Sequence, residues 1–186
     1  MSQKIRLLWN FLLNPFKYFS RNQMLTIGLA VILLTGIINY FTNTHFDGIF
    51  DIHTGKSATI YIFISEGFIN LIIITLCLYF PAKTITDSNI NIYNFLGQQA
   101  ISRWPLIFSS MITFSKPYQQ FCNLKSIQKI QEFGLFKFST IDNTIVSLSI
   151  ILFIVITIWI ITLMYRSFTQ SFKIQGLKNI LLFIIC

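Results

Sequence analysis

The longest apolar runs in this chain lack the one-sided or alternating patterns of a water-soluble fold. The clearest run is Ile145 to Tyr165 (IVSLSIILFIVITIWIITLMY), 21 residues without a charge. As a helix rising ~1.5 Å per residue it is ~31 Å long, about the hydrocarbon thickness of a bilayer. Only Ser147, Ser149, Thr157 and Thr162 interrupt it, too few for a polar side. An earlier run, Met24 to Phe41, spans 18 residues and carries Gly28 and Gly36. Small residues in a membrane helix let a neighbour approach closely, so these two are expected to mark a packing side. The next run, Ile60 to Phe80, is expected to end at Pro81, and an 18-residue loop, Thr42 to Thr59, precedes it. A last apolar run begins at Ile180 and reaches only seven residues to Cys186, ~10 Å of helix, so the chain reads as truncated inside its last span.

The run Trp104 to Phe114 is ambiguous, because its 11 residues are too short to cross. Extending it backwards puts Arg103 near mid-membrane, at a cost of ~2.5–3.5 kcal/mol on insertion scales. Upstream, Ile90, Tyr93, Leu96, Gly97, Ala100, Ile101 and Trp104 share one helical side against Asn91, Asn94, Gln98 and Ser102. Two readings follow: a surface helix feeding a short or tilted span, or a re-entrant segment. At the other end of the chain, the polar residues Arg6, Asn10, Asn14, Lys17 and Arg21 recur at helical spacing among apolar ones, an interfacial pattern broken by Pro15 into two short helices. The basic stretch is too long for a signal peptide and no small-residue cleavage site follows it.

Composition agrees with this reading: 54% of residues are hydrophobic and 11% charged, against roughly 25% charged in soluble domains. The net charge of +8 lies almost entirely outside the apolar runs, where Lys and Arg hold helix ends at the lipid surface. Without a water-exposed basic face, nucleic acid is not an expected partner. Cys77, Cys122 and Cys186 have no spacing that defines a disulfide framework or metal site. Cytoplasmic loops carry the excess of Lys and Arg. If Trp104 to Phe114 crosses, the split is nine on the N-terminal side to five; if not, ten to four. Either count puts the N-terminus in the cytoplasm. The expectation is an all-α integral membrane protein, a bundle of four to five transmembrane helices with interfacial amphipathic helices. Residues 1–22 form a basic cytoplasmic segment and residues 23–186 a single multi-span domain.

The stretch GQQAISRWP (Gly97 to Pro105), a short apolar run, a Phe-rich connector and a span ending TIWIITLMYRSF (Thr157 to Phe168) resemble the prokaryotic branch of the Yip family. These are Ypt- or Rab-interacting multi-span membrane proteins. NPFKYF (Asn14 to Phe19) and KIQGLKNILLF (Lys173 to Phe183) are similar too. The resemblance implies five spans, a cytoplasmic N-terminus and residence in a bacterial inner membrane. The DLYGP-type motif and later GY of the eukaryotic branch are absent, so GTPase binding is not carried over.

Glu66 is the one ionisable residue well inside a long span, ~9 Å from its start, with Asn70 one turn further on the same side. Intramembrane carboxylates mark ion or proton paths and usually have a partner, and no other long span supplies one. The alternative is structural: a Glu66 that hydrogen-bonds to Asn70, Asn39 or a neighbouring Ser or Thr. In the loop, His45, Asp47, Asp51 and His53 are ligand types for Zn²⁺, but their spacing matches no named site and no metal is assigned. Gly55-Lys56-Ser57 lacks the upstream Gly of a phosphate loop, position 50 being Phe. With no nucleophile–base set, no enzyme activity and no cofactor is expected. Tyr118, Phe121, Leu124, Ile127 and Ile130 recur every three residues with Lys125 and Lys129 interspersed, the pattern of a helix lying flat on the membrane or, alternatively, of a partner-binding helix. The expected function is a scaffold or interaction role toward other membrane proteins or itself; the alternative is a small transporter or accessory subunit using Glu66 and Asn70.

Overall fold

In the computed structural model, which describes residues 3–46, 48, 52–55, 57–86, 90–126, 139–173 and 176–185, the longest apolar run becomes the longest helix. In chain order the elements are α1 (Gln3–Leu13), a 3₁₀ turn (Pro15–Lys17), α2 (Arg21–Thr42), β1 (Thr44–Phe46), β2 (Ile52–Thr54), α3 (Ile60–Ile85), α4 (Ile92–Ile101), α5 (Leu106–Ile112), α6 (Lys116–Ser126), α7 (Thr140–Phe172) and α8 (Leu177–Ile185). Three of these, α2, α3 and α7, are long and apolar enough to cross a membrane. They leave large apolar side chains such as Leu34, Ile73, Ile151 and Ile158 exposed, as a lipid-facing surface requires.

Local sequence sets the helix ends. Ser20 caps α2 through a capping box, its side chain accepting from the Gln23 N–H while the Gln23 side chain accepts from the Ser20 N–H. Asn43, at φ 48°, ends the helix in the left-handed conformation that asparagine tolerates. Ser139 likewise accepts from the Asp142 N–H at the start of α7. The expected stop at Pro81 does not occur: α3 continues through it to Ile85. Proline removes only its own N–H, and so near a helix end the loss is confined to one bond. Within the 18-residue loop β1 and β2 pair antiparallel, with Thr44 opposite Thr54, His45 opposite His53 and Phe46 opposite Ile52.

The glycines set how the helices pack. A Cβ built on Gly28 would collide with the Ala100 backbone, and one on Gly36 would lie 2.9 Å from Ile64 Cγ1. Gly36 near the end of α2 thus meets Ile64 near the start of α3, while Gly67 faces Ile32, so the two helices run antiparallel. From the far end of α3 the chain turns into α4, where the Tyr79 hydroxyl donates to the Ile90 carbonyl at 2.7 Å. Phe95, fully buried, joins Leu78, Tyr79, Ala82, Phe168 and Phe172 in the largest core cluster.

The ambiguous run and the helix before it form a broken pair, α4 and α5, separated by a turn at 102–105. The pair runs alongside α2. Gly97 lies against Arg21 and Leu25, Ala100 against Gly28, and Thr113 donates to the Thr42 hydroxyl at 3.0 Å. The polar side of α4 is only partly solvated: Asn91 is exposed, Ser102 is buried and Gln98 faces α7. Ser167 and Ser171 of α7 donate to Gln98 Oε1 at 3.2 and 2.6 Å, and Gln99 Nε2 donates to Ser167 at 3.2 Å. Polar side chains between packed helices are satisfied by the neighbouring helix, which overrides the amphipathic signal.

Outside the bundle, α1 stops at Leu13, and its last carbonyls accept from α7: Trp159 Nε1 donates to Leu12 and Arg166 to Leu13, both at 2.9 Å. These donors satisfy carbonyls that a helix end leaves without a partner. α6 does not simply lie on lipid, since Tyr118 is buried against Phe153, ring centroids 5.1 Å apart, in a cluster with Phe46. Burial, with the Cys122 thiol as hydrogen-bond partner, pushes the Tyr118 phenol above its ordinary range. Ile127 and Ile130 lie outside the described residues. α8 folds back on α7, with Phe183 centroids 5.3 Å from Tyr165 and 5.7 Å from Phe168.

Candidate intramembrane polar site

Glu66 enters the bundle from the first third of α3, and its partner comes from the hairpin: His45 Nδ1 lies 2.7 Å from Glu66 Oε1. The strand β1 holds the imidazole there. Its ring stacks on Phe63 at 4.5 Å and on the cross-strand His53 at 5.4 Å. The second carboxylate oxygen, Oε2, is buried and has no hydrogen-bond partner. A contact of this length between imidazole and carboxylate is a charge-assisted hydrogen bond when the ring is protonated.

Asn70, one turn on, marks the second half of the site. Arg103, 3% exposed, donates from a terminal guanidinium nitrogen to the Asn70 carbonyl at 3.0 Å. Asn70 is the eleventh residue of α3, ~15 Å along it by helical rise, so Arg103 is held near mid-height of the apolar stretch. The break between α4 and α5 makes this possible, because it delivers the side chain from a turn that packs inside the bundle. Around it lies a cavity of about 20 Å³, whose walls include Thr35 and Asn39 of α2, Phe63 and Asn70 of α3, and Arg103. Asn39 is 3% exposed and its Oδ1 has no partner.

Glu66 and Asn70 therefore belong to a larger polar group, and they do not hydrogen-bond to each other among the described residues. Sequence reasoning placed no partner beside Glu66 because it searched the long spans, and His45 belongs to the loop before one. The signal for Arg103 was present as a charge upstream of a short apolar run, but the helix break was not legible. Among the described residues no three His, Cys, Asp or Glu side chains gather to hold a metal, and Asp47 and Asp51 lie outside those residues.

The fold and this site define a helical protein with three helices fit to cross a membrane and a polar centre between them. No family model, curated protein or solved structure matches the chain.

Proposed function

We propose that this chain is a multi-pass protein of a bacterial cytoplasmic membrane, with its N-terminus inside, acting without catalysis as a scaffold or interaction partner of other membrane proteins. The third crossing in this reading is the broken pair α4–α5. The Yip-family resemblance belongs to the same proposal. One observation supports it: the first part of the segment GQQAISRWP, Gly97 to Ala100, is spent on contacts between helices. Gly97 and Ala100 seat α4 on α2, while Gln98 and Gln99 bind Ser167 and Ser171 of α7. Such a segment builds a fixed frame, and the exposed apolar face of α7 offers it to neighbours in the bilayer.

Site-specific photocrosslinking at Ile154 and Ile158, both exposed on α7, tests the scaffold reading. A discrete protein adduct, either a second copy or another membrane protein, is the expected result. Adducts with lipid alone contradict it. A second reading, a small transporter, is favoured by the His45–Glu66 contact and the buried Arg103, since ionisable groups at mid-membrane mark ion paths. Broken helices also build transporter sites at this depth. Unchanged ion flux in vesicles reconstituted with Glu66→Gln protein removes that reading.

A further inference from the structure

Charge in this molecule is collected at one end. α2 and α3 run antiparallel, and Leu78, Tyr79 and Ala82 near the end of α3 share a core with Phe168 and Phe172 near the end of α7. Arg21, the first residue of α2, lies against Gly97 of α4, whose neighbours Gln98 and Gln99 meet Ser167 of α7. The start of α2 and the ends of α3 and α7 therefore share one end of the bundle, and there Lys17, Arg21, Lys83, Arg166 and Lys173 are all exposed. The chain segments at this end, residues 1–22, 83–91 and 166–186, carry eight Lys and Arg against a single acid, Asp87. Those at the opposite end, 42–59 and 115–144, carry five against four, so almost the whole net charge of +8 belongs to the first end.

The same end presents an apolar pair. α1 is fixed there by its last carbonyls, to which Trp159 and Arg166 of α7 donate, and Phe11 packs on Tyr18, Phe19 and Trp104. Ile5 and Trp9, one turn apart on one side of α1, are left 47% and 54% exposed. Nucleic acid would match the charge but not this pair. The boundary between headgroups and acyl chains takes both, since tryptophan is favoured at that depth and basic side chains beside it meet lipid phosphates. Given the membrane residence proposed above, we propose that this end of the protein binds the headgroups of anionic phospholipids, with Ile5 and Trp9 seated in the adjoining acyl boundary. Each Lys or Arg near an anionic surface favours binding roughly fivefold, and only one leaflet meets this end, so the preference averaged over both leaflets is about threefold.

The test uses the full chain reconstituted in phosphatidylcholine vesicles that carry a trace of spin-labelled phosphatidylglycerol or, separately, of spin-labelled phosphatidylcholine. Electron spin resonance reads the fraction of each label immobilised on the protein. At low salt phosphatidylglycerol is expected to be enriched about threefold over phosphatidylcholine in that shell. Potassium chloride at about 1 M, where the screening length is ~3 Å, is expected to bring the ratio close to parity. Lys17→Gln, Arg21→Gln and Lys83→Gln combined are expected to lower the low-salt ratio below about twofold, and Lys116→Gln at the opposite end to leave it unchanged. Parity in the unmodified protein, or an enrichment that neither salt nor the triple variant lowers, overturns the proposal and leaves the basic end to a soluble acidic partner. Should the triple variant fail to fold, the salt series on the unmodified protein decides alone. A shell that immobilises neither label removes the membrane reading itself, a different outcome from equal immobilisation of both.

Discussion

Adding one methyl group at Gly28 perturbs the place where α2 and α4 come closest. In Gly28→Ala the new Cβ would sit 2.5 Å from Ala100 Cβ and 2.7 Å from the Ile101 nitrogen, against ~3.5–4.0 Å for ordinary carbon contacts. Because the obstacles are backbone and a Cβ, no rotamer change relieves them, and the helices must separate by about an ångström along this seam. Overpacking of this kind costs ~1–3 kcal/mol. Alanine also favours the helix over glycine by ~0.8–1.0 kcal/mol, which offsets part of the cost. Two other helical glycines isolate the steric part, since they share that propensity gain. At Gly36 the nearest atom is the Ile64 Cγ1 at 2.9 Å with backbone behind it, whereas at Gly67 it is only the Ile32 Cγ2 at 2.8 Å, the end of a side chain. Equilibrium unfolding of the three variants in mixed micelles should therefore rank Gly28→Ala as most destabilised, Gly36→Ala next and Gly67→Ala last, with the first and last ~1–2 kcal/mol apart. A Gly28→Ala protein as stable as Gly67→Ala would refute the close α2–α4 contact.

Three further perturbations test other parts of the structure. His45→Ala removes the partner of a partly buried carboxylate, and a loss of ~1–3 kcal/mol is expected in the same unfolding assay, with Glu66→Gln in the His45→Ala background adding little further loss. Gln98→Leu deletes the acceptor shared by Ser167 and Ser171; interhelical hydrogen bonds in membranes average ~0.6 kcal/mol and reach ~1.7, so a destabilisation in that range is expected. Trp159→Phe keeps the aromatic packing against Trp104 but frees the Leu12 carbonyl, and faster proteolytic cleavage near residues 13–20 is expected while the cleavage of the bundle stays unchanged.

That three helices are long and apolar enough to cross a membrane was legible from the length of the apolar runs alone, since α2, α3 and α7 lie on those runs. The packing role of Gly28 and Gly36 was legible for a related reason: a residue without a side chain in a membrane helix has few uses other than close approach. What periodicity could not give was the direction of polar residues within the bundle. Gln98, on the polar side of α4, reads as solvated by pattern, yet it is matched by Ser167 and Ser171 some seventy positions away. The site was half visible for the same reason. Glu66 and Asn70 share a helical side and could be paired by spacing, while His45 and Arg103 reach them through a hairpin register and a helix break that only tertiary structure fixes. Pro81 was misread because a proline near the end of α3 removes too little to stop it.

In the proposed topology the broken pair α4–α5 crosses the bilayer, which puts Arg103 at mid-membrane and α6 on the side opposite the end of α3. Lys83 and Lys116 bracket the pair and both are exposed. The deciding measurement is labelling of these two lysines by a membrane-impermeant amine reagent, read by peptide mass spectrometry, in sealed right-side-out and inverted vesicles. Lys83 modified only in inverted vesicles and Lys116 only in right-side-out ones is the expected result; modification of both from the same side would contradict the crossing.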